Sequence, residues 1–209
     1  YLINEKAFWK NVFYVDKDVL IPRPDTELLI EKILKIYSNK SQLQILDIGT
    51  GSGCIILSLL KERKKDYGTG IDISKKSINV SKINAKLLNL SNRTKFFHSS
   101  IDNFNIGKYD LIVSNPPYIE LLNLKYLEKD VVNFEPKLAL NGGLDGFSKI
   151  KTVISKASSL LKKKGKLILE IGFNQKDKVK EMLKKKGFYV NHTFQDHGNN
   201  DRCIISTKI

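Results

Sequence analysis

The feature that most limits the fold is an alternation of periods. Short apolar runs, each closing on Gly, Asp, Asn or Ser, are followed by segments with helical spacing. LQILDIG (43–49) leads into CIILSLLKERKK, and YGTGIDIS (67–74) leads into KKSINVSKINAKLLN, where Ile78, Ile83 and Leu87 recur at near-helical spacing. TKFFHSS and KYDLIVSN read as further strands. Phe147, Ile150, Ile154, Ala157 and Leu161 make an amphipathic stripe expected to stop near Gly165, a residue suited to a helix C-terminus. KLILEIG follows as a strand and KDKVKEMLKKK as a helix ending at Gly187, and FYVNHTFQD and RCIISTKI close the chain as two strands. Such alternation implies an α/β fold, a mostly parallel sheet with helices on both faces. Only HGNN separates the last two strands, so they should form a hairpin and bring an antiparallel strand to one edge.

With 209 residues, 41% of them hydrophobic, the chain can build one sizeable core. No apolar run approaches the roughly 20 residues that cross a bilayer, and no basic segment followed by an apolar stretch marks a signal peptide. These features predict a soluble, cytoplasmic protein without membrane association. The start at Tyr1 rather than methionine suggests that preceding residues were removed or omitted. Cys54 and Cys203 are far apart in sequence, suggesting neither a zinc site nor a disulfide framework. A formal net charge of +14 invites a nucleic-acid partner, yet only Arg23, Arg63, Arg93 and Arg202 among 36 basic residues are arginines. Lysines spread over helix surfaces fit a coding bias on solvated faces, and direct nucleic-acid binding is not required.

In sheets of this kind ligands lie at the carboxyl ends of the strands. The first end is DIGTGSG (47–53), where Gly49, Thr50, Gly51, Ser52 and Gly53 form a cradle in front of a helix N-terminus. Cys54 stands where a dinucleotide fingerprint wants a third glycine, and no Gly-Lys-Ser/Thr follows for a P-loop. The second end is Asp72, either a clamp for ribose hydroxyls or a cap for the helix starting near Ser74. The third is Asn115-Pro116-Pro117-Tyr118, in which two rings without a backbone N–H make poor strand and worse helix but a rigid shelf. His98, His192 and His197 show no nucleophile or metal-ligand spacing and read as ordinary loop or strand residues.

DIGTGSG, GIDIS and VSNPPYI in this order resemble the class I S-adenosylmethionine-dependent methyltransferases that modify a planar amide or amine nitrogen. VLIPRPDTELLIE (19–31), NFEPKLAL with GGLDG (133–146) and QDHGNNDR (195–202) narrow the resemblance to the HemK/PrmC family, the glutamine methyltransferases of peptide chain release factors. The likeness spans nearly the whole chain. It implies a Rossmann-like, mostly parallel seven-stranded sheet with one antiparallel edge strand, S-adenosylmethionine as cofactor, and release factors as protein substrates, methylated at the glutamine of their Gly-Gly-Gln loop. It implies that the Asn115 side-chain oxygen and the Pro116 carbonyl accept the two hydrogens of the substrate amide, that Pro117 helps fix the angle between them, and that Tyr118 packs on the flat amide. It places the cofactor against residues 49–53, Asp72, Ser100 and Asn115.

The family carries an acidic residue and then an aromatic one between Asp72 and Asn115; here HSSID supplies Ser99 and Ser100, which leaves Ile101 or Phe104 to provide a stacking surface. The PRPDTE stretch has a structural reading, with Asp25 as N-cap and Glu27 in the first turn of helix TELLIEKILKIY, and a functional one, a loop lying across cofactor and substrate. The family's N-terminal helical bundle is not in this sequence, so residues 1–24 read as a hairpin linker, FWKNVFYVD, and 25–209 as the methyltransferase domain, expected as a monomer. Alternatives are the glutamine methyltransferase of a large-subunit ribosomal protein, which shares the core motifs, a nucleic-acid amine methyltransferase, favoured by charge but without an inserted recognition region, and a cofactor-binding scaffold.

Overall fold

The computed structural model describes residues 3–38, 42–126 and 135–209. Seven strands form one sheet: β3 (Gln44–Ile48), β4 (Tyr67–Asp72), β5 (Thr94–His98), β6 (Tyr109–Ser114), β7 (Leu161–Glu170), β8 (Phe188–Gln195) and β9 (Asp201–Lys208). Their order is β5-β4-β3-β6-β7-β9-β8. Pairs from β5 through β7 are parallel, and β9 runs antiparallel to both β7 and β8, so the reversed strand of the terminal hairpin lies one place in from the edge. A separate antiparallel hairpin is formed by β1 (Glu5–Phe8) and β2 (Asn11–Tyr14); the FWKNVFYVD stretch supplies its turn and second strand, and its first strand starts earlier, at Glu5.

Both faces of the sheet are buried, and the strands show it at a period of two. Ile45, Leu111, Val113 and Ile168 face one core, with α1 (Glu27–Ile36) and α2 (Cys54–Glu62). Leu46, Ile112, Leu167 and Leu169 face the other, under α4 (Ser148–Leu160) and α5 (Lys176–Lys185). Phe8 and Phe13 of the N-terminal hairpin are fully buried in the first core. The α4 stripe is Ile150, Val153, Ile154, Ala157 and Leu160, and the helix stops at Leu160, short of the expected Gly165, because Leu161 already pairs with Tyr109 as the start of β7. Among the described residues no helix is long and apolar enough to cross a membrane.

The helix α3 (Lys75–Leu87) departs from the apolar pattern. Ile78 is buried, but Ile83 and Leu87, expected on the same stripe, are 44% and 63% exposed. Ser77, Ser81 and Asn84 take inward places instead, the Ser77 hydroxyl donating to the Asp18 carbonyl at 3.1 Å and that of Ser81 to the Ile78 carbonyl of its own helix at 2.9 Å. Asn84 Oδ1 accepts from the Tyr14 backbone N–H at 2.8 Å, while its Nδ2 donates to the Tyr14 carbonyl at 2.9 Å and to the Ser52 carbonyl at 2.8 Å. One side chain thus pins both the hairpin and the loop after β3 to α3. Asn84→Ala should lower unfolding stability by about 1–3 kcal/mol through the orphaned backbone groups, while Ile83→Ala should stay within about 0.5 kcal/mol; urea unfolding of both variants measures the contrast, and equal losses would contradict this packing.

Candidate active site

The sheet register sets the site. One row of paired residues runs Phe97, Ile71, Ile48, Ser114, Leu169 and Ile204 across six strands. The next residues along the strands from β4 to β7 are therefore Asp72, Gly49, Asn115 and Glu170, side by side at the carboxyl edge. The chain winds from β3 to one side and returns to β6 on the other, so the β3–β6 boundary is the switch point where a crevice opens. Ser114 closes that boundary from inside, its hydroxyl donating to the Ile48 carbonyl at 2.7 Å.

The loop after β3 turns over the end of β4. The N–H groups of Gly49 and Thr50 both donate to the Ile71 carbonyl, at 2.9 and 3.0 Å. Gly49 and Gly51 have φ of +74° and +54°, and a Cβ on either would meet nothing within 4 Å, so the loop presents bare backbone to open space. The side chains between them turn inward: the Thr50 hydroxyl donates to Asp47 Oδ2 at 2.7 Å, and Ser52 is buried. Gly53 caps α2 and is packed against Leu57 and Ser81. Asp72 holds the loop in place, its Oδ2 accepting from the Gly51 N–H at 3.0 Å and its Oδ1 from the Ser74 N–H at 2.8 Å. Ser74 itself caps α3 through its hydroxyl, leaving Asp72 as a brace between loop and helix with its carboxylate half-buried. A bare-backbone loop beside a strand-end carboxylate fits a cofactor carrying a ribose.

The side wall differs from expectation. The Ser99 N–H donates to the Asp72 carbonyl and its hydroxyl to the Ser100 carbonyl, both at 2.9 Å. Phe104 supplies no stacking surface, because it is buried in the second core with its ring 5.6 Å from that of Phe97. Ile101 is half-buried against the same core. The exposed apolar side chain at this end is Ile73, one residue beyond Asp72 and 59% exposed, which the sequence pattern signalled only by its place after a strand-end acid.

The shelf is anchored on its inner side. Asn115 Nδ2 donates to Thr26 Oγ1 at 3.1 Å, and Thr26 donates to Glu170 Oε2 at 2.7 Å. The Tyr118 hydroxyl donates to Glu170 Oε1 at 3.3 Å and accepts from Arg202 Nη1 at 3.3 Å. Tyr118 packs its ring on the second core, with its hydroxyl turned toward Glu170. Among the described residues no group donates to Asn115 Oδ1 or to the Pro116 carbonyl, so two acceptors at the end of β6 are free of internal partners. The GGLDG loop backs the shelf closely: a Cβ on Gly146 would lie 2.7 Å from the Tyr118 carbonyl, and Gln175 Nε2 bridges that carbonyl and the one of Gly146 at 3.2 and 3.1 Å.

The PRPDTE segment forms a short turn, Pro24–Thr26, ahead of α1, and Thr26 rather than Asp25 is the N-cap residue, with no side-chain cap bond. Asp25 points outward to 3.8 Å from Arg202, while Glu27 accepts from the Trp9 N–H at 2.7 Å. Arg23 pairs with the buried Glu135 at 2.6 Å, which ties this turn to the NFEP motif; Asn133 and Phe134 of that motif lie outside the described residues. Sequence reasoning gave no role to Thr26, Glu170, Gln175 or Arg202. Glu170 carried a usable signal, a carboxylate closing the apolar strand LILE.

A methyltransferase-domain family matches residues 39–205 of the chain. The release factor glutamine methyltransferase of Buchnera aphidicola subsp. Baizongia pistaciae is 41% identical over 212 residues, covering 100% of this chain and 74% of that protein. The release factor glutamine methyltransferase of Caulobacter vibrioides is 35% identical over 209 residues, covering 100% of this chain and 72% of that protein. Among solved structures, the ribosomal protein L11 methylase of Lactobacillus delbrueckii subsp. bulgaricus shares the fold, with a TM-score of 0.67, 21% identity, and coverage of 91% of this chain and 82% of that one.

Two carboxyl groups at this edge are held in an unusual state. Burial pushes both Asp47 and Glu170 up to about 7, against the opposing hydrogen bonds from Thr50 and Thr26 respectively. Asp47 Oδ1 has no hydrogen-bond partner among the described residues. Between about pH 4 and 7 the folded chain keeps protons on these groups that the unfolded chain releases. Their contribution to stability therefore falls as pH rises through that window, by up to about 1.4 kcal/mol per pH unit for each group. Asp47→Asn, which keeps an acceptor for Thr50, should flatten its share of this slope and be more stable than the wild type at pH 8. Urea unfolding at pH 5, 6, 7 and 8 checks it, and parallel profiles for the two proteins would contradict it.

Proposed function

Because the chain belongs to the release factor glutamine methyltransferase family, we propose that Asn115 and Pro116 are the pair of acceptors that hold its substrate amide. The protein is an S-adenosylmethionine-dependent protein-glutamine N-methyltransferase, and its substrates are peptide chain release factors. The methylated residue in this reading is the glutamine of their Gly-Gly-Gln loop. The observation that carries the reading is the pair of acceptors at the end of β6, Asn115 Oδ1 and the Pro116 carbonyl, to which no group among the described residues donates.

A carboxamide nitrogen is a weak nucleophile because its lone pair is delocalised into the carbonyl. The cofactor supplies, when bound, an electrophilic methyl group on a positively charged sulfur. Two acceptors at the two N–H bonds then do two things: they fix the direction of the nitrogen, and they favour the positive charge that grows on it. Pro116 and Pro117 lock the backbone between the acceptors. No strong general base is needed, since a methylated amide nitrogen is acidic and releases its proton to an acceptor or to water. Tyr118, with its hydroxyl tied to Glu170, offers its ring edge or face beside the amide rather than a proton.

For the cofactor, the backbone of Gly49 and Gly51 would lie against its polar end and Asp72 would accept from its ribose hydroxyls, while Ser100 and the exposed Ile73 would flank the adenine. Asp72→Ala should weaken S-adenosylmethionine binding by about 1.5–3 kcal/mol, the range for hydrogen bonds to a charged group. Calorimetry measures it, and unchanged affinity would leave Asp72 as a brace alone. For the reaction, label from the cofactor is expected on the release-factor glutamine when release factor, ribosomes and duplex DNA are offered separately. Asn115→Ala should slow single-turnover methylation by roughly 100-fold or more with little change in cofactor affinity. Label on a ribosomal protein or DNA with none on the release factor would overturn the substrate, and a wild-type rate for folded Asn115→Ala would overturn the role of the shelf.

A further inference from the structure

We propose that Thr26 and Glu170 are positioning residues that decide which end of the Asn115 amide faces the substrate. The proposal rests on the reading of Asn115 Oδ1 as an acceptor. An asparagine amide has two ends of nearly equal shape, one an acceptor and one a double donor. Rotated half a turn about its last side-chain bond, Asn115 would present an NH2 group to the NH2 group of the substrate, and the shelf would repel what it has to hold. Nothing in the Asn-Pro-Pro-Tyr sequence itself prevents that rotation.

The neighbours of the inner end do. A threonine hydroxyl carries a single hydrogen, and that of Thr26 is directed to Glu170 Oε2 at 2.7 Å. The Thr26 oxygen, 3.1 Å from Asn115, is left with lone pairs only and can receive nothing but the NH2 end. Oδ1 is thereby turned outward. Ionised, above the pKa of about 7 to which burial raises it, Glu170 accepts on its second oxygen too, from the Tyr118 hydroxyl at 3.3 Å, which in turn takes Arg202 Nη1 at 3.3 Å. Donation therefore runs from Arg202 through Tyr118, and from Asn115 through Thr26, to one carboxyl group. Thr26 is 3% and Glu170 2% exposed, so solvent does not offer either an alternative partner. The register of the sheet sets Asn115 and Glu170 side by side at the ends of β6 and β7, and the turn before α1 brings Thr26 between them.

Thr26→Val keeps the shape of the side chain and removes the hydroxyl. It should lower kcat roughly 10- to 100-fold on a Gly-Gly-Gln peptide, while KM and S-adenosylmethionine affinity move less than about threefold. Thr26→Ser, which restores the hydroxyl, should recover most of the loss. Glu170→Gln sets an NH2 group against one of the two hydroxyls and should give the same kcat-selective loss, which covers the case in which Thr26→Val does not fold. Added to Asn115→Ala, Thr26→Val should cost less than about twofold more, since its target is already gone. A wild-type kcat for folded Thr26→Val with Asn115→Ala slow would overturn the relay alone, as would an unchanged penalty of Thr26→Val in the Asn115→Ala background. A wild-type rate for Asn115→Ala would instead overturn the shelf on which the relay rests.

Discussion

Parallel pairing of β3 with β6 is the constraint on which the site depends. Ile48 and Ser114 are partners in that pair, so the glycine loop and Asn115 leave the sheet as neighbours although more than sixty residues separate them in sequence. A slip by one residue would reverse the face of every side chain on one strand and exchange Leu111 and Val113 for Ile112 between the two cores. Because both faces are buried, such a slip would put no strand in a tolerable place. The precision of the site is therefore borrowed from hydrophobic packing on both sides of the sheet, with the Ser114 hydroxyl closing the last gap to Ile48.

Polar groups at this edge are costly to bury, and their arrangement shows what the cost secures. Glu170 lies beneath the shelf and accepts from the Thr26 and Tyr118 hydroxyls, and Arg202 donates in turn to the Tyr118 hydroxyl. Arg202 is tied in turn to Asp196 Oδ2 through Nε and Nη2, at 3.1 and 3.0 Å, so the hairpin β8–β9 braces the network from the far side. Networks of this kind are worth keeping only when every member is satisfied. That condition links the terminal QDHGNNDR stretch to the shelf without requiring it to touch a substrate.

Much of the fold was legible because its signals are local. Strand-helix alternation, the strand ends at Gly49, Asp72 and Asn115, and the closing hairpin each need only a few consecutive residues to be recognised. What was not legible depended on partners far along the chain. Asn84 lies on the inner face of α3, ahead of Ile83 and Leu87, because the Tyr14 and Ser52 backbone groups await it, and no window of α3 contains that information. Phe104 looked available for stacking but is drawn into the core beside Phe97. Asp25 looked like a helix cap, yet the chain makes an extra turn after Pro24 and leaves the capping place to Thr26. Thr26 itself is weak as a sequence signal, since one hydroxyl acquires meaning only between Asn115 and Glu170.

The shelf also explains why the glycines of GGLDG stand where they do. A rigid pair of acceptors needs its backbone held from behind, and the space between the Tyr118 carbonyl and this loop is too narrow for a side chain: a Cβ on Gly142 would lie 2.8 Å from the Tyr118 carbonyl carbon, and one on Gly146 2.7 Å from its oxygen. With glycine at both places the loop can approach, the Gly142 N–H donates to the Ile119 carbonyl at 2.8 Å, and Gln175 bridges the Tyr118 and Gly146 carbonyls. The prolines fix the conformation of the shelf along the chain, and the glycines let a second segment fix its position in space. Rigidity of the first kind without the second would leave two well-shaped acceptors free to swing as a unit, which is why a motif of four residues is supported by loops from so much of the chain.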